Sequence, residues 1–208
     1  MSKKEDILHT PKGRFEWAKL LEPDKKFKAE GEYSVDVFFK EEEVENIIDL
    51  IKDAIKKRKE EEEKSGKKKT KLAPMPMEKI EGGEIRLRFK QAAEVKSKTG
   101  EIFNYTIPVY DNLNNDWNPD VKIGNGSIGK IAFSIHSWAV GSLGVGATLR
   151  LRAAQVIEHV TYDSRNASDF GFDEEEGDAH DSNERDINFE NEPTATTTVG
   201  ETGDDIPF

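Results

Sequence analysis

The sequence predicts a mainly β chain, an antiparallel barrel of five or more strands with one inserted helix, followed by a disordered acidic tail. Three observations carry this. Apolar and polar residues alternate at period two in several segments. The period becomes helical in one segment only, residues 41–63. All patterning stops at Thr161. Hairpin-like spacing between the alternating segments argues for a small barrel rather than a parallel sheet.

The elements follow in order. Residues 1–12 read as an irregular lead-in and residues 13–20 as a first strand, ended by a turn at Pro23–Asp24. Residues 33–40 are a second strand, with Tyr33, Val35, Val37 and Phe39 on one face. In 41–63, Val44, Ile47, Ile48, Ile51 and Ile55 form an apolar stripe. Glu41, Glu42 and Glu43 suit the positive end of the helix dipole, and Lys56 to Lys59 suit a later turn. Glu60 to Lys64 lose the stripe, so fraying is expected there, and 65–72 read as a mobile basic loop. Residues 85–96 and 102–110 read as paired strands around a turn at 97–101. A long Asp/Asn/Gly loop at 111–127 leads to strands at 128–138 and 147–158.

Charge divides the chain at the same place as pattern. Residues 1–160 hold 29 Lys and Arg against 27 Asp and Glu, a net of +2. Residues 161–208 hold 2 against 15, a net of −13. Two parts are therefore expected, a domain over 1–160 and a tail over 161–208 too poor in apolar residues to offset the entropy of ordering. Such asymmetry points to nucleic-acid work or to an interaction tail. The chain has no cysteine, which excludes disulfides, thiolate metal sites and a cysteine nucleophile. It has no signal-peptide pattern and no apolar run near the roughly 20 residues that span a bilayer. A soluble cytoplasmic protein with no membrane partner is expected.

The strongest chemical signal is a set of strands with one apolar and one basic face. Ile85, Leu87 and Phe89 alternate with Arg86, Arg88 and Lys90. Leu149 and Leu151 alternate with Arg150 and Arg152. Ile131, Phe133 and Ile135 alternate with Lys130, Ser134, His136 and Trp138. Cations bind phosphates with little regard to sequence, and aromatic rings stack bases. A basic surface with interleaved rings is what single-strand binding requires. An ordinary solvated strand face would read the same way on any one strand. Arg14 joins the candidates, with Phe15 and Trp17 open between core and stacking platform. Trp138 is the first stacking candidate, and Trp117 in the long loop is the second. Phe103 and Tyr105 share a stripe with Ile107 and Val109 that reads at least in part as core.

Catalysis finds no purchase. The four histidines are scattered without metal-ligand spacing. Gly141–Gly146 misses the dinucleotide fingerprint and precedes a strand. The Asp111–Asp120 loop lacks the glycine and terminal glutamate of a calcium hand. No cofactor, metal or enzyme activity is expected.

The chain end is more specific. Asp204 and Asp205 add charge beside the α-carboxylate, Ile206 and Phe208 are bulky apolar anchors, and Pro207 limits backbone freedom. This is a ligand for an apolar pocket rimmed by Arg or Lys.

Asp204-Asp205-Ile206-Pro207-Phe208 resembles the C-terminal tip of bacterial single-stranded DNA-binding proteins. That resemblance implies recruitment of replication and recombination partners such as a polymerase, helicase, exonuclease or recombinase. The first 160 residues instead resemble the single-stranded DNA-binding proteins of tailed bacteriophages. The matching features are Thr10-Pro11-Lys12-Gly13-Arg14 before the first strand, the glycine-rich turn before Ala147–Val156, and an acidic tail ending in Phe208. This resemblance implies an OB-fold, a five-stranded barrel with an inserted helix, and single-stranded DNA as the partner. It implies a tail that competes with DNA for the basic groove, and the host bacterial cytoplasm as location. Docking of the tail on a second subunit's groove would give a homo-oligomer. The other reading of the same features is an acidic adaptor or decoy that fills a host tip-binding pocket without binding DNA.

Overall fold

A computed structural model describes residues 6–26, 28–66, 71–97 and 99–161. The expected disorder of the acidic tail, the tip Asp204–Phe208 and half of the basic loop, residues 67–70, lie outside the described residues. No helix among those described is long and apolar enough to cross a membrane.

The strands are β1 (Leu8–His9), β2 (Gly13–Asp24), β3 (Glu32–Lys40), β4 (Met77–Ile80), β5 (Glu84–Ala92), β6 (Glu94–Lys96), β7 (Ile102–Asn104), β8 (Val109–Tyr110), β9 (Ile128–Val140) and β10 (Gly144–Glu158). The helix α1 (Glu41–Lys64) lies between β3 and β4. Five strands close a ring in the order β2-β3-β5-β10-β9 and back to β2. Four of the five pairings are antiparallel. The fifth, β5 with β10, is parallel through Phe89–Leu149 and Lys90–Arg150. A parallel pair needs a long crossover, and the chain from β6 to β9 supplies it. This is the expected OB-like barrel with its helix after the second ring strand.

Alternation fills the barrel. Val35, Val37 and Phe39 of β3, Ile85, Leu87 and Phe89 of β5, Ile131 and Phe133 of β9, and Leu149 and Leu151 of β10 all point inward and are buried. Phe89 and Phe133 meet edge to face at 5.1 Å. The α1 stripe, Val44, Ile47, Ile48, Ile51 and Ile55, joins the same core. Glu43 accepts a hydrogen bond from the Lys40 N–H at the start of α1. Glu60 to Lys64 do not fray, correcting the expectation. Arg58 pairs with Glu61 and Glu62, and Lys59 lies 3.7 Å from Glu63, all at helical spacing.

Three boundaries differ from those read in the sequence. β2 runs on to Asp24, past the expected turn, after register breaks between Glu16 and Lys19 and again before Asp24. The segment 85–96 breaks at Ala93, and 102–110 splits into β7 and β8. β6 and β7 then form a separate hairpin in which Val95, Ile102 and Phe103 are exposed, as is Tyr105 beyond it. Of the stripe Phe103, Tyr105, Ile107 and Val109, only the last two are buried.

At Gly129, β9 packs directly against β10 and Phe15. A Cβ there would overlap the Gln155 carbonyl oxygen and the Phe15 ring. Ile51, fully buried on α1, tests how far the helix belongs to the barrel core. Ile51→Ala should destabilise the fold by about 3 kcal/mol, within the usual range for a buried isoleucine truncation. Urea unfolding checks this, with a lowered midpoint and an unchanged slope as the expected result.

Candidate nucleic-acid interface

Directly paired residues on neighbouring strands share a face, so the register assembles the outer surface row by row. One row is Arg14, Phe38 and Arg86 across β2, β3 and β5. The next is Glu16, Asp36 and Arg88. The third is Lys19, Ser34, Lys90, Arg150 and Ser134, running through β2, β3, β5, β10 and β9. Beyond it, Thr148 pairs with His136 and Gly146 with Trp138. The basic faces of β5, β9 and β10 read from the sequence therefore meet across the β5–β10 seam.

The first two rows are less basic than the strands alone suggest. Arg14 pairs with Glu16 at 2.6 Å and Glu84 at 3.0 Å and lies over the Phe38 ring at 4.6 Å. Arg88 donates two hydrogen bonds to Asp36, Nε to Oδ1 at 2.7 Å and Nη2 to Oδ2 at 2.9 Å. Asp36 is 2% exposed, so the guanidinium supplies the solvation that water does not. That hydrogen bond, opposed by desolvation, raises the Arg88 pKa above its ordinary value. Arg86 pairs with Glu78 and lies 3.8 Å from Asp36. Apart from Glu84 at the start of β5, the acids come from β2, β3 and β4, so β5 read by itself does not show them. Arg14, Arg86 and Arg88 are thus engaged internally, with less of their charge open to phosphates than their sequence pattern implied.

The third row is different. Lys19 and Lys90 make no ion pair with a described residue, and neither does exposed Lys130 on β9. Arg152 donates from Nε to the buried Ser134 hydroxyl at 3.2 Å, which fixes its stem. Lys90 and Arg88 also line a cavity of about 190 Å³ walled by Trp138, Thr148, Ala147 and the segment Pro74-Met75-Pro76. The Trp138 indole N–H donates to Thr148 Oγ1 at 3.0 Å. Its ring lies on Gly146, where a Cβ would come within 2.6 Å of the six-membered ring. His136, two residues before, has its pKa lowered by partial desolvation and then by the charges of Arg150 and Arg58.

The other aromatic candidates separate cleanly. Phe15 is 0% exposed in the core against Gly129 and offers no face to a ligand, which corrects its place among the candidates. Trp117 packs partly against the core, donates its indole N–H to the Val121 carbonyl at 2.8 Å and meets His159 edge-on. Its ring closes the long loop, which accounts for it structurally. Trp17 is 65% exposed on β2. In the long loop, Asp111 accepts from the Leu113 and Asn115 N–H groups and the Asn115 side chain. These bonds hold its carboxyl below the usual range. Its acids cap turns, and among the described residues no three His, Asp or Glu cluster as metal ligands.

No protein-family model and no curated protein sequence matches the chain. Solved structures match its fold. The crystal structure of gp2.5, a single-stranded DNA binding protein encoded by bacteriophage T7, aligns with a TM-score of 0.68 at 22% identity, covering 86% of this chain and 100% of that one. A C-terminal truncation of the single-stranded DNA-binding protein from bacteriophage Enc34 gives 0.55 at 12% identity, covering 74% and 86%. The Enc34 protein in complex with ssDNA gives 0.52 at 12%, covering 76% and 88%. The barrel of this chain is a fold found in phage single-stranded DNA-binding proteins.

Proposed function

We propose that the chain binds single-stranded DNA along the row Lys19, Ser34, Lys90 and Arg150, with Trp138 stacking a base at its far end. The observation that carries this reading is the row's continuity across four strands into a cavity with an aromatic wall. The solved structures of like fold support it. The protein would act by coating and protecting exposed strands, without catalysis, in phage replication or recombination. Arg152, Lys130 and His136 flank the path. Arg14, Arg86 and Arg88 shape its edge and act on the strand more through their field than by touching it. Asp204 to Phe208 would dock a replication or recombination partner, the two aspartates meeting its cations and Phe208 its apolar pocket.

Lys90→Ala should weaken binding to an unstructured oligonucleotide and reduce the salt slope by about 0.7 for each phosphate that it leaves unneutralised. Trp138→Ala should cost about 1–3 kcal/mol of affinity. Anisotropy titrations at several salt concentrations measure both. Absence of wild-type binding at low salt would favour the decoy reading instead. Ending the chain at Thr161 removes thirteen net negative charges, so such a chain should bind as tightly or tighter. A large fall in affinity would move the DNA site into the tail.

His136 adds a pH signature. Its lowered pKa leaves it less protonated in the free protein than an ordinary histidine at the same pH. A phosphate beside it opposes the Arg150 and Arg58 charges and raises that pKa, so the complex takes up a proton. Affinity should therefore rise as pH falls through the histidine range towards the lowered value, and level off below it. His136→Ala should flatten this rise in the same titrations.

A further inference from the structure

Trp17 is the one bulky residue among those described whose backbone sits in the left-handed region, at φ +53°. The other non-glycine there, Asn114, is of a type that tolerates it. The cause is local. β2 pairs with β3 at Glu16–Asp36 and next at Lys19–Ser34, so two residues stand where the partner strand offers one. Trp17 and Ala18 are the excess. The Trp17 N–H leaves the ladder and donates to the Asn125 side-chain oxygen at 2.9 Å. Neighbouring bonds tie the same loop to β2: Phe15 N–H to the Ser127 carbonyl at 2.7 Å, and Gly126 N–H to the Phe15 carbonyl at 2.9 Å. The bulge is thus held from the β9 side, and the ring is turned outward.

A surface indole gains nothing for the core, and a glycine would adopt this backbone without strain. Strained positions persist where the surroundings over-determine them, and they cluster at ligand sites. Here the ring borders a cavity of about 380 Å³, within the range of small-ligand sites. Lys19, Lys122, Pro119, Leu21 and Asn125 are among its lining, and Glu22 is the one carboxylate there, set against the two lysines. Lys19 also begins the cation row, as Lys90 joins that row to the Trp138 cavity. Lys19 and Lys90 stand on strands two spacings apart, about 10 Å.

We propose that the Trp17 bulge is a nucleobase-stacking subsite, in which one unpaired base lies on the indole while adjoining phosphates meet Lys19 and Lys122. This rests on the single-stranded DNA reading and goes beyond it, since it gives the strand a second aromatic anchor at the opposite end of the row. The ligand class is any unpaired base, because stacking uses the π-face that every base has. Asn125 acts as a positioning residue that holds the ring in place through the backbone.

The test uses the full chain and two oligonucleotides of equal length, one of thymidylate and one of abasic sugar-phosphate. Trp17→Gly should lower thymidylate affinity about tenfold or more, leave abasic affinity nearly unchanged, and hold or raise the melting temperature. Trp17→Phe should retain most of the affinity. Asn125→Ala should fall between the two. Thymidylate affinity unchanged in Trp17→Gly would overturn the subsite while leaving the single-stranded DNA reading intact. A melting temperature that falls together with affinity for both strands would also overturn it, since Trp17 would then serve the fold. Failure of the wild-type chain to bind either strand at low salt would remove the underlying reading itself.

Discussion

Two residue pairs close this barrel. Phe89 with Leu149 and Lys90 with Arg150 form the only described parallel pairing of the ring, and much of the molecule follows from that seam. On the inside it completes the layer in which Phe89 meets Phe133 and Leu149. On the outside it sets two cations on adjacent strands at the same height. The same seam therefore serves core and surface, and neither can shift register alone. A slip of one residue along β5 and β10 would bring Arg88, Lys90, Arg150 and Arg152 inward in place of Leu87, Phe89, Leu149 and Leu151. The burial of those apolar side chains, each contributing about 1.5–3 kcal/mol, fixes where the charges stand.

The sequence made the alternation plain, because inside and outside residues differ so sharply in β3, β5, β9 and β10. It made the helix plain for the same reason, since five apolar residues at helical spacing have one face to bury. It did not reveal which strands would be neighbours. Arg88 reads as an open cation until β3 brings Asp36 beneath it. Phe103 reads as core until β6 and β7 leave the ring as their own hairpin. Phe15 and Trp17 sit two apart, which in a regular strand puts them on one face. The register break between Glu16 and Lys19 sends one into the barrel and the other into solvent. Periodicity cannot show a bulge that depends on a loop more than a hundred residues away.

Arg14 and Arg88 differ from Lys19 and Lys90 on the outer surface for a physical reason. The planar fork of arginine suits carboxylates at fixed geometry, and Arg14 and Arg88 are each held between or against acids. Lys19 and Lys90 sit in the row without such partners among the described residues, as compact charges on flexible stems. Arg14 and Arg88 stiffen the strands that they cross, and Lys19 and Lys90 keep their reach. A polyanion crossing the surface would meet the mobile cations first.

Gly146 bears on how the surface meets a ligand. With no side chain beneath it, the Trp138 indole rests on the backbone of the next strand and is tied there through its N–H to Thr148. The ring has surrendered its rotational freedom before any ligand arrives. Part of the ordering that association normally demands is therefore already complete in the free protein. A missing side chain on β10 thus seats the aromatic wall on β9, and any side chain at residue 146 would displace the ring that the Thr148 bond holds.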